Sequence, residues 1–468
     1  MAPKAAAPAG YLASLAVAVL LAAALIPPGP EKTAQLIAVT AFLGTILGAI
    51  FFWKFRVAFA LAMISLLLFT GVMTPEQMIK YMHMDVITFL IGMMIVIGFL
   101  EERGFFEYLL DRLVKPLGRS GKTLFAGLLV LAAFMASLVD EVTSILFMMA
   151  LLLRITKKYD MDIVPFMIAV VIATNVGSSF TVVGNPIGVL IAFSGGFSFL
   201  DFINYSFLTV GLWVLLLTAV LSLVYWRSYV RELDEKLRRL GTEFEAEAER
   251  GSMAAPWAVF IATIGGLILH HHIEAALGLP KNSTLVAIPI VMAAVSLMLS
   301  GDKAREIVER KVEWWSLMFF MFFFATVGGI AETGVAKLMA GAILDLAGGD
   351  PALIMVLTLW ASGILSAFMD NVLAVATFIA ILQQLAPTLG HEAVFPAWWA
   401  MLWGGCYGGN MTMIGSTANI VALGIVEKAR GRYLRFVEWL RPGLLFATAQ
   451  MLLATLLAYL RFFVLGLY

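Results

Sequence analysis

Three acids stand where acids are rarely found. Asp140 and Glu141 lie in Ser137-Leu138-Val139-Asp140-Glu141-Val142-Thr143, inside the apolar block 123–153. Asp370 lies in Ser366-Ala367-Phe368-Met369-Asp370-Asn371-Val372, inside the apolar block 352–386. Ionisable groups in hydrocarbon are unfavourable and mark function when they occur. No Lys or Arg occurs between Lys122 and Arg154, between Lys158 and Arg227, or between Lys337 and Lys428, so the segments around these acids contain no basic partner. A buried carboxylate without a cation takes up a proton or binds a metal ion. This chemistry suits exchange of a proton against a cation. Asp140 and Asp370 are the expected sodium ligands, with Glu141 beside them.

Each acidic motif is followed by a break rich in Gly, Ser, Thr and Asn. The first is Asn175-Val176-Gly177-Ser178-Ser179-Phe180-Thr181-Val182-Val183-Gly184-Asn185-Pro186. The second is Gly408-Gly409-Asn410-Met411-Thr412-Met413-Ile414-Gly415-Ser416-Thr417-Ala418-Asn419. Glycine and proline weaken a helix by roughly 1 and 3 kcal/mol each, and an interrupted helix frees backbone N–H and C=O groups. Those carbonyls can replace the hydration shell of an ion, together with side chains of Ser137, Thr143, Asn175, Ser178, Ser179, Thr181, Asn185, Ser366, Asn371, Asn410, Thr412, Ser416, Thr417 and Asn419. A lone glycine-rich kink is ordinarily a packing feature. Two related kinks, each behind an acidic motif, point instead to a binding site near Gly177 and Gly408.

The elements that position these residues follow from composition. Of 468 residues 62% are hydrophobic and 13% charged, and the formal net charge is zero. A soluble domain carries about 25% charged residues. Repeated apolar runs of membrane-spanning length make this an all-α polytopic membrane protein. The neutral charge suggests no nucleic-acid partner, and the single Cys406 excludes an intrachain disulfide. The run Gly10 to Ile26 follows Lys4 and is read as a retained first helix, not a signal peptide.

Apolar segments fall near 10–27, 35–53, 57–73, 85–100, 123–153, 164–192, 204–226, 254–270, 283–300, 314–331, 352–386, 397–425 and 443–466. The stretch from Glu101 to Lys122 has the spacing of an interfacial amphipathic helix. Basic residues mark the cytoplasmic side. Lys122 and Arg154 flank 123–153 at both ends, so this block should enter and return as a re-entrant hairpin. The block 352–386 should form a second hairpin from the outside. The count is then eleven spans and two hairpins, with the N-terminus cytoplasmic.

The two halves repeat at a nearly fixed offset. Gly98 matches Gly328, Glu102 matches Glu332, Asp140 matches Asp370 and Val142 matches Val372. With the offset one position longer, Gly177 matches Gly408, Thr181 matches Thr412 and Gly184 matches Gly415. Five spans per half would invert the second half, the organisation of secondary transporters with a midplane site. The expected division is an N-terminal helix (1–30), a first inverted repeat (31–230), a cytoplasmic linker (231–253) and a second repeat (254–468). Scaffold helices run to about 120 and 345, with a hairpin and broken helix in 123–226 and 352–466.

Weaker signals have plainer readings. Glu101, Glu102 and Glu332 read as interfacial caps, His270-His271-His272 as an extracellular loop, Phe319 to Phe324 as packing, and Cys406 as a small buried residue.

The motifs Val139-Asp140-Glu141-Val142-Thr143, Thr174-Asn175-Val176-Gly177, Gly184-Asn185-Pro186, Met369-Asp370-Asn371-Val372, Gly408-Gly409-Asn410 and Ile414-Gly415-Ser416-Thr417-Ala418-Asn419 resemble those of the ion transporter superfamily. Within it the chain looks closest to the arsenite permeases, D-type sodium–proton antiporters and melanosomal P protein. The resemblance covers essentially the whole chain. It implies a homodimer with scaffold helices at the interface, and a transport domain of both hairpins and both broken helices moving as an elevator. Dicarboxylate relatives carry Ser-Asn-Thr at the hairpin tips, where this chain has Asp140-Glu141 and Asp370-Asn371.

The expected function is secondary active ion transport in the cell (inner) membrane, foremost sodium–proton antiport with sodium and proton as coupling ions and no other cofactor. The alternative is a coupled anion transporter for arsenite, chloride or carboxylate, since helix N-termini hold anions without Arg. An intramembrane aspartyl protease with an Asp140–Asp370 dyad would not need doubled broken helices, so the chain is not read as an enzyme.

Overall fold

A helix satisfies each backbone N–H and C=O inside its own segment, so apolar runs of this length fold as helices. The structure, a computed structural model, describes residues 6–240, 252–430 and 433–468. Lys4, Arg250, Arg432 and residues 241–251 of the linker lie outside the described residues, as does the side chain of Lys115. Regular structure among the described residues is entirely helical, with no strand. The protein is an all-α polytopic membrane protein with 11 helices, among the described residues, long and apolar enough to cross a bilayer.

The number equals the expected count of spans, but the membership differs. Gly121–Val139, Pro351–Phe368 and Asn371–Leu389, all arms of the expected hairpins, qualify by length. The expected third span is the 14-residue helix Arg56–Phe69, only about 21 Å long. The segments 164–192 and 397–425 are divided into Ile163–Gly177 with Pro186–Gly195, and His391–Gly408 with Thr417–Arg430. Length and hydropathy register a helix without regard to where the chain reverses.

The first hairpin joins Gly121–Val139 to Glu141–Lys158 through Asp140 alone. The Ser144 hydroxyl donates to the Ala132 carbonyl at 3.2 Å, so the chain doubles back. The second hairpin joins Pro351–Phe368 to Asn371–Leu389 through Met369-Asp370. Helix starts recur at the offset that relates Asp140 to Asp370. Met84–Glu102 pairs with Trp314–Glu332 and Phe105–Val114 with Val335–Ala347, and both arms of the hairpins follow suit. Close packing recurs too. A Cβ at Gly177 would collide with the Ala133 carbonyl oxygen, and one at Gly408 with the Gly363 backbone. Only glycine allows each broken helix this approach to the first arm of its hairpin.

Three readings change. The stretch after Trp226 is not simply a polar connection: Arg227–Leu240 is a helix burying Val230, Leu233 and Leu237. Its Asp234 accepts the Gly121 N–H at 2.8 Å, docking it on the first hairpin. The charged residues between them mask this one-sided stripe. His270-His271-His272 lie inside the helix Ala254–Leu277, not in a loop, and His270 is buried. That helix ends only at Gly278, whose left-handed φ of +64° supplies the stop. The interfacial acids are not helix caps but ties between helices. Glu101 meets Lys311 at 2.7 Å, Glu102 pairs with Lys303, and Glu332 accepts from Gln77 and Tyr81 at 2.8 and 2.7 Å.

Candidate functional site

Each hairpin tip is a helix N-terminus capped by its own aspartate. Asp140 Oδ1 accepts the N–H groups of Val142 and Thr143 at 2.8 and 2.9 Å. Asp370 Oδ1 accepts the Val372 N–H at 3.0 Å, and the Thr417 hydroxyl donates to its Oδ2. The broken helices restart in the same way. Asn185 Oδ1 accepts from Gly188 N–H at 2.8 Å, and Ser416 Oγ from Ala418 N–H at 3.2 Å. Short polar side chains at these positions are good caps. Here they also take up N–H groups that an anion would otherwise use.

Between the tips lies a buried polar network. Asn371 Nδ2 approaches both Glu141 carboxylate oxygens at 3.3 and 3.4 Å, and the Ser416 hydroxyl approaches Oε1 at 3.3 Å. These contacts are long for charge-assisted bonds. Glu141 and Asn371 are themselves related by the repeat offset, so matching residues of the two halves touch each other. Asn371 Oδ1 is buried with no hydrogen-bond partner among the described residues. An acceptor left in that state beside a carboxylate suits a bound cation, or a proton on Glu141.

The network continues through Asn175. Its Nδ2 donates to Asn410 and Asn419 at 2.8 and 2.9 Å, and its Oδ1 accepts from Ser416 at 3.1 Å. Asn419 closes its own break by donating to the Gly409 and Thr412 carbonyls, both at 2.9 Å. Asn410 passes the chain on to Gln450 and Thr218. In the first half, Asn185 Nδ2 donates to Ser178 Oγ at 2.9 Å and Cys406 Sγ at 3.1 Å. Cys406 holds the place in the second half that Asn175 holds in the first, so the two networks are related in position but differ in chemistry.

Not every expected residue offers its side chain to this centre. Thr181 donates to the Ser137 carbonyl and Thr412 to the Ala367 carbonyl, so these hydroxyls clamp break to hairpin at matching positions. The Ser137 hydroxyl returns to its own helix at Phe134, Ser179 meets Val176 and Tyr407, and Ser366 bonds Gly405. Thr143 contributes its backbone N–H to Asp140. Gly177 and Gly408 serve packing.

Sequence reasoning missed Arg56, Glu313, Gln450 and the polar contacts of Cys406. Arg56 and Glu313 lie outside the motif-bearing segments: Arg56 is buried and donates to the Ser316 hydroxyl at 2.9 Å, on the helix that Glu313 precedes. Among the described residues no three His, Cys, Asp or Glu side chains converge as a metal-binding group.

Residues 46–404 match the CitMHS family, described as citrate transporters. The chain is 31% identical over 385 residues to an uncharacterized transporter of Mycobacterium tuberculosis, covering 81% of this chain and 87% of the relative. It is 26% identical over 421 residues to an uncharacterized transporter of Synechocystis, covering 85% and 91%. It is 25% identical over 438 residues to the human P protein, covering 78% of this chain and 52% of that one. With paired hairpins, paired broken helices and this match over most of its length, the chain is a membrane transporter belonging to the CitMHS citrate transporter family of the ion transporter superfamily.

Proposed function

We propose that the protein is a cation–proton exchanger, foremost a sodium–proton antiporter. One observation carries this reading: the four helix N-termini of the core are capped by their own side chains, while Glu141 and the unpartnered Asn371 Oδ1 present acceptors. A site poor in free donors and rich in acceptors favours a cation over an anion. Asp140, Glu141 and Asp370 are the groups that cycle between proton and ion, and Ser416, Thr417 and Asn371 are the neutral ligands beside them. The halves would be inverted repeats, with hairpins and broken helices moving as an elevator against scaffold helices in a homodimer. The N-terminus would be cytoplasmic in the cell membrane.

The family description favours a second reading, carboxylate transport. The acids would repel citrate, so this requires bound cations that neutralise them. Purified protein in liposomes with an internal pH dye, challenged in turn with sodium, lithium, potassium, chloride and citrate, decides between the two. Proton movement driven by sodium or lithium is expected. Citrate accumulation without proton movement by any cation alone would replace the first reading with the second.

A further inference from the structure

Where the two halves meet, the oxygens outnumber the protons available to them. Asn419 donates its amide hydrogens to the backbone carbonyls of Gly409 and Thr412, and a carbonyl only accepts. The Asn419 side-chain oxygen is therefore an acceptor, and Asn175 must turn its Nδ2 toward it, at 2.9 Å. The other hydrogen of that amide goes to Asn410 Oδ1 at 2.8 Å. This fixes which way Asn175 faces and points its Oδ1 at the Ser416 hydroxyl, 3.1 Å away. The same hydroxyl lies 3.3 Å from Glu141 Oε1 and already accepts the Ala418 N–H at 3.2 Å. One hydroxyl proton thus faces two acceptors. Beside them Asn371, 1% exposed, has a side-chain oxygen with no partner among the described residues.

The place related to this one by the repeat offset is built the other way round. Asn185 stands there for Ser416, Cys406 for Asn175 and Asn371 for Glu141. Asn185 Oδ1 is taken by the Gly188 N–H at 2.8 Å. Its amide therefore presents hydrogens, to Ser178 Oγ at 2.9 Å and to Cys406 Sγ at 3.1 Å. A hard cation takes oxygen ligands, and a thiol sulfur facing amide hydrogens offers it none. A carboxylate, an amide oxygen and a hydroxyl come together on one side of the repeat only.

We propose that the core holds a single monovalent cation, between Glu141 Oε1, Asn175 Oδ1 and the Ser416 hydroxyl oxygen. Either Glu141 carries the proton that this trio lacks, or the cation takes that proton's place among the three oxygens. The two exclude each other at one carboxylate, which is exchange of one cation for one proton. Ligand charge sets the class of ion. Glu141 is the only carboxylate of the trio: Asp140 and Asp370 cap their own helices and, among the described residues, neither is bonded to it. One negative charge balances sodium or lithium, whereas a divalent ion would keep uncompensated charge in a buried place. The ligands come from the first hairpin and from both broken helices, so the ion sits across the two halves. This inference rests on the cation-exchange reading above and narrows it to a place and a count.

The test titrates the full chain in detergent with radiolabelled sodium and follows sodium-driven proton movement in liposomes loaded with a pH dye. Wild type should bind one sodium per chain, displaced by lithium and by acid but not by magnesium or calcium at the lithium concentration. Asn175→Cys, which copies the repeat-related residue, should raise the sodium concentration for half-maximal binding and for half-maximal proton movement about tenfold, the loss of one buried polar ligand. The maximal rate should change far less; a merely structural role would lower the maximal rate and leave the half-saturation alone. Ser416→Ala should shift the half-saturation in the same direction, and it carries the test if Asn175→Cys does not fold. Half-saturation within about twofold of wild type in the folded variants overturns the proposal and leaves the exchanger reading intact. Two sodium ions bound per wild-type chain, or displacement by magnesium as readily as by lithium, overturns it as well. Wild type that neither binds sodium nor moves protons with it sinks the exchanger reading itself.

Discussion

The two hairpin tips are alike in sequence and unlike in chemistry. At the first, Asp140 is half-buried and held at φ +118° and ψ 160°, a backbone region that only glycine adopts without strain. Its carboxylate oxygen Oδ1 caps its own helix, and among the described residues the side chain makes no bond to another element. At the second, Asp370 is 5% exposed at an unstrained φ of −54°. It is tied to Thr417. The next residue differs as well, Glu141 against Asn371, and these two meet. A duplicated scaffold thus carries one tip whose aspartate is strained and bonded only to its own helix, and one whose aspartate is relaxed and cross-linked to the second broken helix.

Neutralising the tips should give the largest effect. Asp140→Asn and Asp370→Asn keep shape but not charge, and each should reduce sodium-driven proton movement roughly thirtyfold or more, the range for removing a buried charged partner. Initial rates in liposomes measure this. Full activity in both variants would make the acids structural and empty the comparison of functional meaning.

The packing beneath the tips should respond equally in both halves. Gly177→Ala and Gly408→Ala each push a methyl group into the backbone of the first hairpin arm. Each should lower stability by at least about 1–3 kcal/mol, read as a lower thermal midpoint in detergent. A large loss in one half and none in the other would show that the repeat does not extend to energetics.

Backbone strain separates the tips by a smaller amount. Relative to the matching Asn variant, Asp140→Gly should recover about 1–3 kcal/mol by relieving the positive φ. Asp370→Gly, relative to Asp370→Asn, should be neutral or destabilising because nothing strained is relieved. Thermal unfolding of the four proteins checks the sign; an equal response at both tips would remove strain from the account.

The smallest expected effect concerns the clamps. Thr181→Val and Thr412→Val each delete one hydroxyl bond from break to hairpin, for a loss of about 1 kcal/mol. Equal shifts in the thermal midpoint would show that the clamps are the shared part of the two halves.

The order of the elements was legible in the chain itself. Apolar length gave the membrane class, because hydrocarbon admits only backbone that is satisfied within its own helix. The constant offset between matching residues and the Gly/Asn breaks gave hairpins, broken helices and most of the polar centre, because Gly, Pro and capping residues act on the backbone locally. Asn175, Ser416 and Asn419 could be picked out as polar residues at the breaks, but not as partners of one another. The folded arrangement alone decided that Glu141 meets Asn371, that Asn175 reaches into the opposite half, and that Cys406 takes its matching place in the first. It also brought Arg56, near the start of the chain, onto the Ser316 hydroxyl in the second half. Such pairings depend on how helices pack, and no local preference encodes them. Equally, the strain at Asp140 was invisible in a motif shared with Asp370, because a backbone dihedral at a tip is set by the two arms that converge on it.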